Sequence, residues 1–415
     1  MKKKIVHITF SDDVGGAAIA AFRLHKAMLD YGLDSQMVVF EKKRKEEEIS
    51  SICNSEWGMY FYKFKSYIIA DRKFILDKNR GYYSSFDIGS NIKNNKIIMQ
   101  ADVIYLHWIN RGLLNCKNIE FLLKEGKNIF WVMHDMFPIT GGCHHSYECD
   151  GYQRNCRECP FKGVGKWDAY MQLKKKEKLK QYDNMHWIAP SRWLYECACK
   201  SVVIEKNRVY HIPNVISSNF FTVDKLFARK VVRLVPDKKY ILYGADGVLK
   251  NPYKGLKYFV KALNLFYKKC CKMGMEKNIE IMLFGSEYND EITKKIPFAV
   301  HFMGEIRDER TMNLLYNASD LFVVTSLAEN YPLTIQEAIY CNIPVVAFNV
   351  GGIPDLLSSP EKGVLIDGLD TDKMANAIES IISRDNRVCI EKYTNDEDRC
   401  KIVEKYIEVL NNVES

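Results

Sequence analysis

The sequence predicts an α/β protein built of two doubly wound domains, each around a parallel sheet. Three observations lead there. Short apolar runs, such as residues 4–10, 103–107, 240–244 and 321–324, alternate with amphipathic stretches of helical length along the chain. That is the pattern of βαβ units whose strands are buried on both faces. Several of these runs end in turns carrying glycine, among them Ser11-Asp12-Asp13-Val14-Gly15-Gly16, Lys254-Gly255 and Asn349-Val350-Gly351-Gly352. Finally, 415 residues exceed what one ordinary core organises, so two domains are expected. The expected division is 1–215, 216–395, and a last helix at 396–415 that crosses back to the first domain.

Composition narrows the class. Hydrophobic residues make up 47% and charged residues 27%, as in globular proteins. No apolar run reaches the ~18 residues of a membrane-spanning helix. The basic start MKKKIVHITF runs at once into Ser11-Asp12-Asp13, which predicts a first strand and not a signal peptide. The net charge of +8 suits polyanionic ligands or an anionic surface, but the charge is scattered and no nucleic-acid recognition motif is present. Thirteen cysteines without an export signal point to reduced thiols or metal ligands.

In the first domain, residues 4–10 read as a strand, 11–16 as a turn and 17–31 as an amphipathic helix. This strand–turn–helix is a phosphate-binding layout, with Gly15 and Gly16 at the helix N-terminus, and equally a plain tight turn. Strand 35–40 and a charged loop, 41–48, follow. Residues 57–83 interleave Trp57, Tyr60, Phe61, Tyr62, Phe64, Tyr67 and Phe74 with lysines and arginines. They read as a packed helical hairpin, a membrane-interface element or an acceptor groove. Strands 103–107 and 128–133 come next, the second ending in His134-Asp135. A histidine at that end of a strand points into the crevice. Cys143, Cys149, Cys156 and Cys159 have the spacing C-x₅-C-x₆-C-x₂-C, which fits one structural, four-coordinate zinc; free thiols or a disulfide in a long loop are the alternatives. Residues 167–182 form a helix carrying Lys174, Lys175, Lys176, Lys178 and Lys180, a solvated face or a contact for anionic lipid. Residues 187–190 and 209–213 complete the strands, with a hinge at 214–225.

The second domain opens with strand 240–244, loop 245–254 and helix 255–271. Strands at 280–285 and 300–303 and a helix at 308–319 follow. The densest stretch is 325–357, TSLAENYPLTIQEAIYCNIPVVAFNVGGIPDLL. A turn carrying Glu329 precedes a helix carrying Glu337, and on a helix eight residues return a side chain to nearly the same face. Free N–H groups near 330–333 can hold a phosphate, and a carboxylate one or two turns further can accept from two vicinal hydroxyls. The local chemistry therefore points to a phosphorylated, hydroxyl-rich ligand. Strand 363–366 and helix 371–383, with Asp370 as N-cap, close the domain.

Glu329-x₇-Glu337, followed by PVVAFNVGGIPDLL, resembles the signature of the retaining GT-B glycosyltransferases of family four. The resemblance spans nearly the whole chain; it is specific at Lys254 and across 240–363, and looser before residue 100. It implies two Rossmann-like domains around a cleft, and transfer of a sugar from a nucleotide-diphosphate donor to a glycan or lipid-linked acceptor. On that basis Lys254 of Lys254-Gly255 holds the donor phosphates, together with the turn Asn330, Tyr331, Pro332 and Leu333. Glu329 binds the sugar hydroxyls, Glu337 the ribose hydroxyls, and His134 reaches the sugar from the first domain. Gly15 and Gly16 belong to the loop facing the diphosphate and the acceptor. The family places an arginine five residues before the lysine; here that position is Leu249, and either neighbouring Lys250 substitutes or the contact is missing. No metal cofactor is implied for catalysis, because lysine and helix dipoles take the role of Mg²⁺. The block HDMFPITGGCHHSYECDGYQRNCRECP resembles an insertion in a subset of bacterial surface-polysaccharide and lipopolysaccharide enzymes. A cytoplasmic protein at the inner face of the membrane follows from the same likeness. The alternatives are a nucleotide-sugar hydrolase or epimerase of the same fold, or a non-catalytic glycan or nucleotide-sugar binder.

Overall fold

The structure is a computed structural model and describes residues 3–52, 75–77, 81–245, 247, 251–383 and 395–414. Leu249, Lys250 and most of the 57–83 stretch lie outside these residues. The chain divides into two compact units, 1–215 with 399–415, and 216–398.

The first unit contains, in chain order, β1 (Lys4–Ser11), α1 (Gly16–Asp30), β2 (Asp34–Glu41), β3 (Ile49–Ser51), β4 (Ile75–Asp77), β5 (Gly81–Tyr83), α2 (Lys96–Gln100), β6 (Val103–Leu106), α3 (Cys116–Lys124), β7 (Asn128–Val132), α4 (Lys166–Glu177), β8 (Met185–Ala189), α5 (Arg192–Lys200) and β9 (Val209–His211). Seven strands pair in the order β3-β2-β1-β6-β7-β8-β9, and every pairing is parallel. The apolar runs are continuous because both faces are covered. On β7, Ile129 and Trp131 enter one core while Phe130 and Val132 enter the other.

The second unit contains α6 (Lys225–Val231), β10 (Lys239–Gly244), α7 (Leu256–Met273), β11 (Ile279–Phe284), α8 (Asp290–Thr293), β12 (Ala299–Gly304), α9 (Glu309–Ala318), β13 (Leu321–Val324), α10 (Leu333–Tyr340), β14 (Val345–Phe348), α11 (Ile353–Leu356), β15 (Gly363–Ile366) and α12 (Thr371–Ile382). Its six strands run β12-β11-β10-β13-β14-β15, again all parallel. Local rules fix the helix ends. Asp308 and Asp370 cap α9 and α12 by accepting backbone N–H groups, and Gly274 ends α7 in the left-handed conformation. Two α/β parallel-sheet units are the fold class the sequence predicts.

The basic helix differs from its reading as a solvated face. Lys174 and Lys180 pair with Glu177, Lys175 pairs with Asp87, and Lys176 is fully buried. Position 176 continues the buried stripe of Ala169, Gln172, Leu173 and Leu179, so helical geometry carries it inward despite its charge.

The last helix, α13 (Asn395–Glu414), packs Val403, Tyr406 and Leu410 into the first unit's core beside Ile5, Tyr105 and Phe130. The rings of Tyr105 and Tyr406 meet edge to face at 5.5 Å. Truncating a large buried ring removes its transfer energy and leaves a cavity. Tyr406→Ala should therefore lower the first unit's stability by about 3 kcal/mol, read as an earlier urea transition with the second unit's transition unmoved.

Candidate functional site

The second sheet reverses its strand order between β10 and β13, and the loops leaving their C-terminal ends diverge there. Open α/β sheets bind ligands in such a crevice. The β10 loop ends in a 3₁₀ turn, Pro252–Lys254, and the β13 loop carries Glu329. Lys254 Nζ donates to Glu329 Oε1 at 2.7 Å, and both side chains are largely buried. They line a small open crevice with Tyr243, Thr325, Ser326 and Thr334. Burial opposes the Lys254 charge, but the Glu329 carboxylate outweighs it and raises the pKa above the ordinary lysine value. The ammonium is thus held charged.

Backbone packing sets this geometry. Gly255 has φ +72°, and a Cβ there would stand 1.9 Å from the Thr325 carbonyl oxygen. Thr325 Oγ1 donates to the Gly255 carbonyl at 3.0 Å, Tyr243 Oη donates to the Lys254 carbonyl at 3.1 Å, and Leu327 N–H donates to the Tyr253 carbonyl at 2.7 Å. Gly351, at φ +55°, lies so close that a Cβ would fall 1.8 Å from the Glu329 carbonyl oxygen. Gly352 N–H donates to that same oxygen at 3.1 Å. Only glycine meets both demands at these two positions.

The other expected residues of this unit divide. Helix α10 begins at Leu333, behind Pro332 as N-cap, with no side chain capping its first turn. Glu329 therefore lies in the loop, and only Glu337 is helical. Glu337 is buried and accepts from Tyr316 Oη at 3.0 Å. Asn330 is buried, and half-buried Tyr331 packs on the core.

In the first unit, Gly15 is the N-cap of α1 at φ +88°, and a Cβ on Gly15 or Gly16 would meet nothing within 4 Å. The turn before them is tied down. Ser11 Oγ accepts from the N–H groups of Asp13 and Val14, and buried Asp12 accepts from those of Lys43 and Arg44. His134 follows β7 and ends a string of three histidines. His7 Nδ1 lies 3.0 Å from His107 Nε2, and His107 Nδ1 lies 2.9 Å from His134 Nε2. Burial pushes His134, and His25 which packs on His7, down to about 4, and His7 and His107 well below the usual range. All are neutral near pH 7. Beside His134, Asp135 pairs with His144 at 2.6 Å, and His144 also meets Ser84 Oγ at 2.8 Å.

The string has a direction, assigned from the hydrogen-bond network. Each neutral ring gives one proton and takes one. His7 Nε2 is buried and without a partner. A buried orphan acceptor is tolerated better than a buried orphan N–H. His7 Nδ1–H then donates to His107, and His107 Nδ1–H donates to His134 Nε2. The remaining proton sits on His134 Nδ1, at the sheet's C-terminal edge.

Cys143, Cys149, Cys156 and Cys159 line one recess of the first unit. His7, His107, Asp135 and His144 were not singled out from the sequence. The available signal was a histidine inside each of two apolar runs, KIVHITF and VIYLHW, which pair in register as β1 and β6.

Residues 240–384 match the model of the family described as glycosyl transferases group 1. D-inositol 3-phosphate glycosyltransferase of Rhodococcus opacus (strain B4) is 42% identical over 74 residues, which are 18% of this chain and 17% of that protein. The chain thus spans about a sixth of the length of such relatives. The putative colanic acid biosynthesis glycosyl transferase WcaC of Escherichia coli (strain K12) is 24% identical over 354 residues, 80% of each chain. The structure of Anabaena Alr3699/HepE in complex with UDP and glucose superposes with a TM-score of 0.62 at 16% identity, covering 99% of this chain and 100% of that one. The fold is the GT-B class, with two Rossmann-like α/β domains.

Two outcomes follow from the histidines. Their folded pKa values lie below the unfolded 6.5, so the unfolded state binds more protons between the two. The stability they contribute is present above pH 6.5 and is lost as pH falls toward 4. The first unit's urea midpoint should decline already from pH 6.5 to 5, above the range where most carboxylates titrate; a flat midpoint there would contradict the neutral string. Nitrogen NMR at pH 7 should place the His134 proton on Nδ1, and His107→Phe should release that preference.

Proposed function

We propose that the protein is a retaining glycosyltransferase that moves a sugar from a nucleotide-diphosphate donor to a glycan or lipid-linked acceptor. The observation that carries this reading is the Lys254–Glu329 pair in the switch-point crevice. A charged lysine and an uncapped helix start, at Leu333 and Thr334, are what a diphosphate needs. Transfer breaks the bond between the anomeric carbon and the diphosphate oxygen, whose electron pair stays on the diphosphate, and forms a bond from that carbon to the acceptor hydroxyl oxygen, whose proton passes to the departing diphosphate. Lys254 and the α10 N-terminus stabilise that charge without a metal ion. Donor phosphate displaces Glu329 from Lys254, which frees the carboxylate to accept hydroxyls of the transferred sugar. Glu337 is assigned to the ribose hydroxyls, His134 Nδ1–H to the sugar, and Gly15 and Gly16 to the open loop of the first domain.

UDP in the HepE structure supports a uridine nucleotide as the first donor to try, and the name of WcaC supports surface-polysaccharide assembly. A cytoplasmic setting at the membrane's inner face goes with such acceptors. Among the described residues no helix is long and apolar enough to cross a membrane. Trp167 and Met171, one turn apart on α4, are exposed and suit a peripheral contact.

The test is donor binding and turnover. Ligand at about 100 times its dissociation constant adds ~2.7 kcal/mol of stability, so UDP, GDP or ADP conjugates should raise the melting temperature of the wild type, and of Glu337→Ala much less. Losing one donor at the leaving group costs about 10²–10³ in kcat. Lys254→Ala and Glu329→Ala should lose turnover at that scale while keeping their circular dichroism. Wild-type turnover in either variant removes that residue from the mechanism. Sugar release to water alone would make the protein a hydrolase, and binding without transfer would make it a non-catalytic receptor.

A further inference from the structure

The loop after His134 is long and irregular. Residues 141–165 hold one 3₁₀ turn, Gly151–Gln153, and an isolated bridge from Cys143 to Tyr83. Loops of this length inside a compact domain need an internal anchor. The thiols of Cys143, Cys149, Cys156 and Cys159 all line the same recess, which is partly open to solvent. Two of them are already placed as metal-binding thiolates are. Gly151 N–H, two residues after Cys149, points at its Sγ at 3.5 Å, and the Gly141 N–H points at the Cys156 thiol. A glycine is required at 141, where a Cβ would lie 2.9 Å from the Cys156 Cβ.

A second observation is independent of the thiols. Lys176 is fully buried beneath this loop. Its Nζ donates to the carbonyls of Phe137 and Thr140, and no described carboxylate pairs with it. The buried Tyr83 hydroxyl, also without a partner, faces the same recess.

We propose that Cys143, Cys149, Cys156 and Cys159 bind one structural Zn²⁺ in this recess. Four S–H bonds break, four Zn–S bonds form, and the four protons pass to solvent, leaving a complex of charge −2. In the structure the thiols bracket the recess without having closed on one point, and among the described residues no three Cys, His, Asp or Glu side chains do so. Binding would require the four sulfurs to close until each is about 2.3 Å from the ion. The ion's place in the fold is structural, since four protein ligands leave no open position. It would fix the loop that returns His144 onto Asp135, next to His134.

Elemental analysis of the intact protein, expressed with zinc and purified without chelator, should find about one Zn²⁺ per chain. Cys149→Ser and Cys159→Ser should each lose it, while Cys271→Ser, an exposed thiol elsewhere, keeps it. Co²⁺ added to the chelated wild type should give the thiolate charge-transfer and tetrahedral d–d bands. That spectrum needs no variant to fold and no activity. A metal-free wild type with no cobalt spectrum and four freely titrating thiols in the recess overturns the proposal. So does a thiol count in denaturant below thirteen, which would mean disulfides.

Discussion

Everything at the candidate site hangs on two places where backbone touches backbone. The Thr325 carbonyl leaves no room for a Cβ on residue 255, and the Glu329 carbonyl leaves none on residue 351. These contacts draw three loops together at the C-terminal end of one sheet, from β10, β13 and β14. Lys254 and Glu329 reach 2.7 Å because their main chains have no other place to go. Without that clamp, a flexible lysine would spend its rotamer entropy in solvent, and the pair would weigh as little as an exposed ion pair. Within it the lysine is held charged and aimed.

The two units solve opposite electrostatic problems with the same sheet architecture. The second keeps a cation charged by giving it one carboxylate. The first keeps its polar string uncharged by burying it. His7, His107 and His134 sit on or just beyond β1, β6 and β7, which are neighbouring parallel strands of one sheet. A string of neutral rings transmits orientation, since fixing one tautomer fixes the next. The core thus sets which nitrogen His134 offers at the sheet edge.

The sequence made some of this legible. Parallel strands buried on both faces are written as unbroken apolar runs, so the fold class could be read directly. The glycines at 255 and 351 stood out as turn residues, but which carbonyls they abut is a long-range fact that no local pattern carries. The 254–329 contact spans 75 positions and is likewise invisible to periodicity. The turn carrying Glu329 and the helix carrying Glu337 were both readable, and Pro332 as N-cap sets the boundary between them. Lys176 was hidden among like charges, although its position on the stripe of Leu173 and Leu179 marked it as inward.

That buried lysine also bears on why a charged run is tolerated there. The carbonyls it binds, of Phe137 and Thr140, belong to the turn that starts the cysteine loop just past His134. A hydrophobic residue at 176 would pack well, yet the Phe137 carbonyl would keep only the Thr140 N–H and the Thr140 carbonyl would lose its lysine donor in the core, a penalty of about 1–3 kcal/mol. The lysine ties the start of an irregular loop to a helix, and Asp135–His144 ties the same loop to the end of β7. Anchored from both sides, the loop holds its shape without strands or helices of its own, and the histidine string ends against a rigid wall.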